Sequence, residues 1–96
     1  MLVLITYDVS TQDSEGSRRL RNVAKVCQAY GQRVQNSVFE CALSETQFRE
    51  MQHQLTQIID MQQDSLRFYI LGNHYQNKVV HVGAKPTCLP DDTLIL

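Results

Sequence analysis

The chain opens on an unbroken apolar run, residues 1–5, rich in branched side chains, and this stretch ends at a carboxylate, Asp8. An alternating strand hides one face from water, whereas a continuous apolar strand hides both. The pattern therefore predicts a strand that is central in its sheet and covered above and below. Residues 10–16 are polar and read as a loop. Leu20, Val23, Ala24, Cys27 and Tyr30 then recur at helical spacing and predict a helix over about 17–30, with the arginines largely off the buried stripe. Gly31 stands where a left-handed helix cap is wanted.

Residues 32–43 return to a period of two: Val38, Glu40 and Ala42 alternate with Phe39, Cys41 and Leu43. Asn36 and Ser37 break this segment. It reads either as one kinked long strand or as two short strands joined by a bulge or tight turn. Ser44 and Gln47 match a capping box and open a second helix. Its stripe is Phe48, Met51, Leu55, Ile58 and Ile59, and it is expected to end near residues 60–63. Residues 65–71, SLRFYIL, predict another strand, and Gly72 with Asn73 marks a turn. Residues 79–82, VVHV, are a short strand candidate; Gly83, Pro86 and Pro90 interrupt the tail, and the chain ends on the apolar Leu94, Ile95 and Leu96.

This order is the ferredoxin-like βαββαβ plan, an α+β fold with an antiparallel sheet, two helices on one face and a short C-terminal strand. Residues 1–96 form one domain, with about 1–78 as core and about 79–96 as strand and tail. Two helices cover one face only, yet the first strand is apolar on both. A second copy of the chain is the economical cover, giving a twofold homodimer with the tail packed on the partner subunit.

Composition changes the picture in two places. With 43% hydrophobic and 20% charged residues and a net charge of −1, the whole molecule is not a basic polyanion binder. The charge is uneven, however. Residues 17–33 hold Arg18, Arg19, Arg21, Lys25 and Arg33 without an acid, whereas residues 44–64 hold Glu45, Glu50, Asp60 and Asp64 against Arg49. No apolar run reaches membrane-spanning length and no signal-peptide pattern is present, so a cytoplasmic protein without a membrane partner is expected. Cys27, Cys41 and Cys88 lack metal-ligand spacing; the first two fall on apolar faces and read as buried thiols, not disulfides.

Asp8 is the sharpest candidate for chemistry, because the end of a central strand is a rigid platform. If a dimer axis passes near the open face, two Asp8 carboxylates approach each other. A bridging Mg²⁺ would relieve their repulsion and could serve phosphodiester hydrolysis. The alternative reading is a carboxylate that only ends a strand and caps a loop. The arginine cluster likewise reads as a phosphate-binding surface or as a solvated helix face. Tyr7 and Phe39 could stack on a base or simply belong to the core. Ser37 could touch a phosphate or only serve the turn. His53, His74 and His81 share no ligand spacing, and no phosphate loop, nucleophile elbow or zinc motif is present.

Five segments carry a resemblance: LVLITYD at 2–8, RRLRNVAK at 18–25, GQRVQNSVFE at 31–40, DSLRFY at 64–69 and GAKP at 83–86. Together they resemble the CRISPR-associated endonuclease family, the small ferredoxin-like core protein of spacer adaptation, and the last two resemble its type I-C-like branch. The resemblance implies that Asp8 is the catalytic, metal-binding carboxylate, one from each subunit of a homodimer, with Mg²⁺ as the cofactor and Mn²⁺ as a substitute. It implies that Tyr7, Arg18 or Arg19, Arg33, Ser37 and Phe39 bind or help cleave nucleic acid; Arg21 joins them through the basic cluster. The implied activity is metal-dependent cleavage of single-stranded RNA or double-stranded DNA. The implied partners are duplex DNA and the adaptation integrase. A second hypothesis is a purely non-catalytic DNA-binding scaffold bridging integrase dimers. A third, a small-molecule-binding regulator, rests on the fold alone.

Overall fold

The computed structural model describes residues 1–83. Its elements are β1 Leu2–Asp8, α1 Ser14–Tyr30, β2 Gln32–Gln35, β3 Val38–Ala42, α2 Glu45–Ile58 and β4 Ser65–Gly72. The strands form one sheet in the order β2-β3-β1-β4, with β1 antiparallel to both of its neighbours and β2 antiparallel to β3. The apolar opening run is thus an interior strand, as its pattern predicts.

Residues facing one another across the sheet share a face. Val3, Ile5 and Tyr7 of β1 lie opposite Cys41 and Phe39 of β3 and Ile70, Phe68 and Leu66 of β4. The odd residues of β1 join Val23 and Cys27 of α1 and Met51 and Leu55 of α2 in one buried cluster, so both helices cover this face. The alternate set, Leu4, Thr6, Asp8, Val38, Glu40, Arg67 and Tyr69, faces away from the helices. Leu2 and Tyr75 are buried outside the main cluster.

The segment broken at Asn36 and Ser37 resolves into two strands and a tight turn, with a bulge between Arg33 and Gln35. The capping box at Ser44 is formed in both directions: the Gln47 amide donates to Ser44 Oγ at 3.1 Å, and the Ser44 amide donates to Gln47 Oε1 at 2.9 Å.

Four local expectations are corrected. α1 begins three residues earlier than its apolar stripe suggests, because Asp13 caps it by accepting from the Gly16 amide at 2.8 Å. Gly16 is therefore a buried helical residue, and a Cβ there would collide with the Ser10 carbonyl oxygen. Gly31 is extended, not left-handed, with φ −164°. Its lack of a side chain answers a close approach, since a Cβ would strike the Glu40 carbonyl oxygen and Cys41 Sγ. α2 ends at Ile58, and the acidic residues beyond it form a turn in which the Asp64 amide donates to the Asp60 carbonyl at 2.8 Å. Residues 79–82 form no strand: they have no neighbouring strand to pair with among the described residues, and Val80 and Val82 are exposed. The expectations placed on the tail beyond these, including Cys88 and the apolar end at Leu94 to Leu96, lie outside the described residues.

Candidate functional site

Tyr7 and Asp8 end β1 and point to opposite sides of the sheet, as consecutive strand residues must. Asp8 is exposed, on the face away from the helices, opposite Ser65 of β4. Val9 turns back into the core. Asp8 is thus a carboxylate on a rigid rim, with its backbone in the sheet and its side chain in solvent.

Tyr7 points the other way, into a shallow groove of about 360 Å³ between α1 and the β2–β3 turn, lined also by Leu20, Arg21, Ala24, Arg33, Asn36 and Ser37. Its hydroxyl donates to the Asn36 carbonyl at 3.2 Å, and its amide donates to the Ser37 carbonyl at 3.1 Å. Burial pushes the Tyr7 hydroxyl above its ordinary pKa, with Cys27 acting in the same direction, against the opposing pull of Arg33 and of a hydrogen bond with Ser37. It remains a neutral donor at physiological pH. Arg33 is fixed from two sides. One Nη donates to the Asn36 carbonyl at 2.8 Å, and the guanidinium lies 4.9 Å over the Phe39 ring. Phe39 in turn stacks on Tyr7, centroids 6.2 Å apart. Phe39 is wholly buried, so it has no face to offer a base; it is the floor that holds Arg33 and Tyr7.

The arginines divide. Arg18, Arg21 and Lys25 are exposed and spaced to form one line along α1, with Arg21 on the wall of the groove opposite Arg33. Arg19 points elsewhere, and its Nε donates to Asp64 Oδ2 at 2.8 Å in an ion pair with 16% side-chain exposure for Arg19 and none for Asp64. Burial would raise the Asp64 pKa, but the hydrogen bonds from Arg19 and from the Asp60 and Ser10 amides outweigh it and hold the carboxyl below its usual range. Tyr7, Arg21, Arg33 and Ser37 thus come together in one groove, Arg18 extends its basic edge, and Asp8 stands at the same end of the sheet on the other face. Arg19 is committed inside the fold.

Two residues emerge that local pattern does not single out as functional. Asp64 pairs with a residue 45 positions away, so no local pattern signals it. Glu40 is buried on the helix-free face, and its Oε2 has no hydrogen-bond partner. Cys27 and Cys41 are buried free thiols whose pKa values burial pushes up to about 12 and about 11, which keeps both neutral and unreactive. Among the described residues, no group of three or more His, Cys, Asp or Glu could hold a metal ion, and no helix is long and apolar enough to cross a membrane.

Residues 1–79 match the family described as CRISPR associated protein Cas2. The chain is 59% identical over 95 residues to the CRISPR-associated endonuclease Cas2 of Halalkalibacterium halodurans, covering 99% of each. It is 56% identical over 96 residues to the CRISPR-associated endoribonuclease Cas2 of Nitratidesulfovibrio vulgaris, covering all of this chain and 94% of that one. The crystal structure of Streptococcus pyogenes Cas2 at pH 6.5 superposes with a TM-score of 0.75 at 55% identity, covering 86% of this chain and 100% of that one. With the family match over residues 1–79 and similarity to these relatives along almost the whole chain, the chain belongs to the Cas2 family of CRISPR-associated proteins.

Proposed function

We propose that this protein is a metal-dependent endonuclease of CRISPR adaptation that works as a twofold homodimer, and that the same dimer holds duplex DNA for the integrase during spacer insertion. The observation that carries the reading is Asp8: an exposed carboxylate at the end of the central strand, on the face that the helices leave open. Relatives are named endonuclease in one case and endoribonuclease in others, which supports phosphodiester hydrolysis as the reaction.

One carboxylate is sparse ligation. A hard cation such as Mg²⁺ takes oxygen ligands and is commonly held by one or two carboxylates, with waters and substrate phosphates completing its shell. The donor set fits such an ion only if a second copy presents its own Asp8 beside the first. Leu4, Thr6 and the exposed Tyr69 on the open face are suited to packing against that copy. Mg²⁺ or Mn²⁺, when bound, would supply charge stabilisation and a more acidic water. The chain's own residues do the rest. Arg33, held by the Asn36 carbonyl and the Phe39 ring, offers a fixed guanidinium fork to a phosphate. Arg18, Arg21 and Lys25 follow the nucleic-acid backbone, and the Ser37 hydroxyl adds a neutral contact at the groove.

A second reading, a non-catalytic scaffold that bridges integrase dimers, is favoured by the one carboxylate, Asp8, that each chain offers at the proposed centre. One experiment separates the two. Purified protein and Asp8→Ala are assayed on labelled double-stranded DNA and single-stranded RNA with Mg²⁺, Mn²⁺ or EDTA. The nuclease reading expects metal-dependent cutting that is lost in Asp8→Ala, and the preferred substrate identifies the nucleic acid. Duplex binding by both proteins without cutting by either would favour the scaffold.

A further inference from the structure

The Asp64 carboxylate is fully buried, and both of its oxygens are occupied. Oδ1 accepts from the Ser10 amide at 3.0 Å, and Oδ2 accepts from Arg19 Nε and from the Asp60 amide, both at 2.8 Å. One Nη of Arg19 reaches the Ser10 carbonyl at 3.4 Å and Asp64 Oδ1 at 3.5 Å. Both backbone groups of Ser10 are therefore held by one ion pair. Ser10 lies two residues beyond Asp8, and Ser65, the strand partner of Asp8, is the residue after Asp64. The pair thus grips the chain just past Asp8 and the chain just before its cross-strand neighbour. Gly16 closes the arrangement, because its bare Cα lets α1 lie directly against the Ser10 carbonyl.

We infer that Arg19 and Asp64 are positioning residues, which fix the backbone on both sides of Asp8 so that its carboxylate stands at one place on the rim, and that Arg19 is not a nucleic-acid contact. The inference rests on Asp8 as the working carboxylate. Taking a carboxylate out of water is costly, the full set of hydrogen bonds to Asp64 offsets that cost only in this one geometry, and removing one partner leaves the other charge without compensation. The neighbouring arginines differ in kind: Arg18 and Arg21 are exposed and free to meet a phosphate.

The test compares Arg19→Ala, Asp64→Ala and the double variant with Arg18→Ala and Arg21→Ala. Arg19→Lys and Asp64→Asn serve as gentler substitutions should the alanines fail to fold. Three quantities are read on folded protein: kcat against KM for metal-dependent cleavage, duplex Kd with its salt dependence, and amide hydrogen exchange at Ser10 and Asp60. Positioning predicts that Arg19→Ala and Asp64→Ala each lower kcat by roughly tenfold to a hundredfold, although they change charge in opposite directions. Their double variant is no worse than either single one. Kd and salt slope stay at the wild-type values, while Ser10 and Asp60 exchange faster. Arg18→Ala and Arg21→Ala instead weaken duplex binding and leave exchange at Ser10 and Asp60 unchanged. A loss of duplex affinity and a shallower salt slope in Arg19→Ala, with Ser10 exchange unchanged, would overturn the inference and make Arg19 a phosphate contact. Wild-type protein that cuts nothing under any metal would instead sink the nuclease reading; exchange and affinity would still decide whether the pair holds the Asp8 segment or meets the duplex.

Discussion

At the scale of the residue, Glu40 is the least comfortable group in the fold. It lies opposite Leu4, 6% exposed, with one oxygen unpartnered, and burial raises its pKa from the ordinary 4.5. An acid whose folded pKa exceeds its unfolded value binds its proton more tightly when folded. Its contribution to stability is therefore best below the ordinary value, falls as pH rises towards the raised one, and stays unfavourable at neutral pH. Glu40→Gln, nearly the same shape without the charge, is expected to raise Tm at pH 7 and to leave it nearly unchanged at pH 4. Thermal melts at the two values check this. A lower Tm at pH 7 would show that the carboxylate finds a donor in the assembled protein. Glu40 also shows what the sequence conceals. Its place in the alternating pattern is legible, but the depth of its burial depends on strands and loops from the rest of the chain.

At the scale of the element, the caps and the hairpin do most of the positioning. The capping box of α2 is visible as Ser44 and Gln47, and the structure forms both of its bonds. Ser44→Ala is expected to cost about 1 kcal/mol, read as a lower denaturation midpoint with an unchanged slope. The start of α1 is less legible, because an apolar stripe marks where a helix packs and not where it begins. Asp13 supplies that signal, and the buried Gly16 beside it resembles loop composition until Ser10 is seen against it. In the β2–β3 hairpin, Phe39 is the floor under Arg33 and Tyr7. Phe39→Ala should lower stability by about 3–5 kcal/mol. Phe39→Leu, which keeps most of the volume, should leave the fold intact while removing the ring beneath Arg33 and weakening duplex binding. Equal binding by Phe39→Leu and wild type would remove that ring from the site.

At the scale of the whole molecule, a net charge of −1 says little about binding, because Arg18, Arg21, Lys25 and Arg33 lie along α1 and the groove beside it. Arg18, Arg21 and Lys25 line α1, and Arg33 faces Arg21 across the groove. A twofold dimer would carry this surface twice, matching the symmetry of a duplex. Arg18→Glu combined with Arg21→Glu is therefore expected to weaken duplex binding and to reduce the slope of log K against log salt by about one for each phosphate no longer neutralised. Titrations at several salt concentrations check it, alongside sedimentation that should report the mass of two chains at micromolar concentration. The exposed Val80 and Val82 belong to the same scale, since a strand can form there only if it acquires a neighbour.

The sequence by itself determined the order of the main elements, the interior place of β1, the second-helix cap and the family. These rest on periodicity, turn chemistry and motif residues, whose energetics act within a few positions along the chain. The tertiary structure alone decided that Arg19 belongs to Asp64 and not to the basic surface. It also decided that Phe39 is a floor and not a stacking face, that Gly31 is demanded by the nearness of β3 and not by a left-handed turn, and that residues 79–82 stay unpaired in a single chain. Each of those outcomes depends on groups far apart in sequence meeting in space: an ion pair across 45 residues, a glycine against a neighbouring strand, a ring beneath a guanidinium. Local patterns carry no record of such meetings, because the path of the whole chain sets which groups approach and which remain in water.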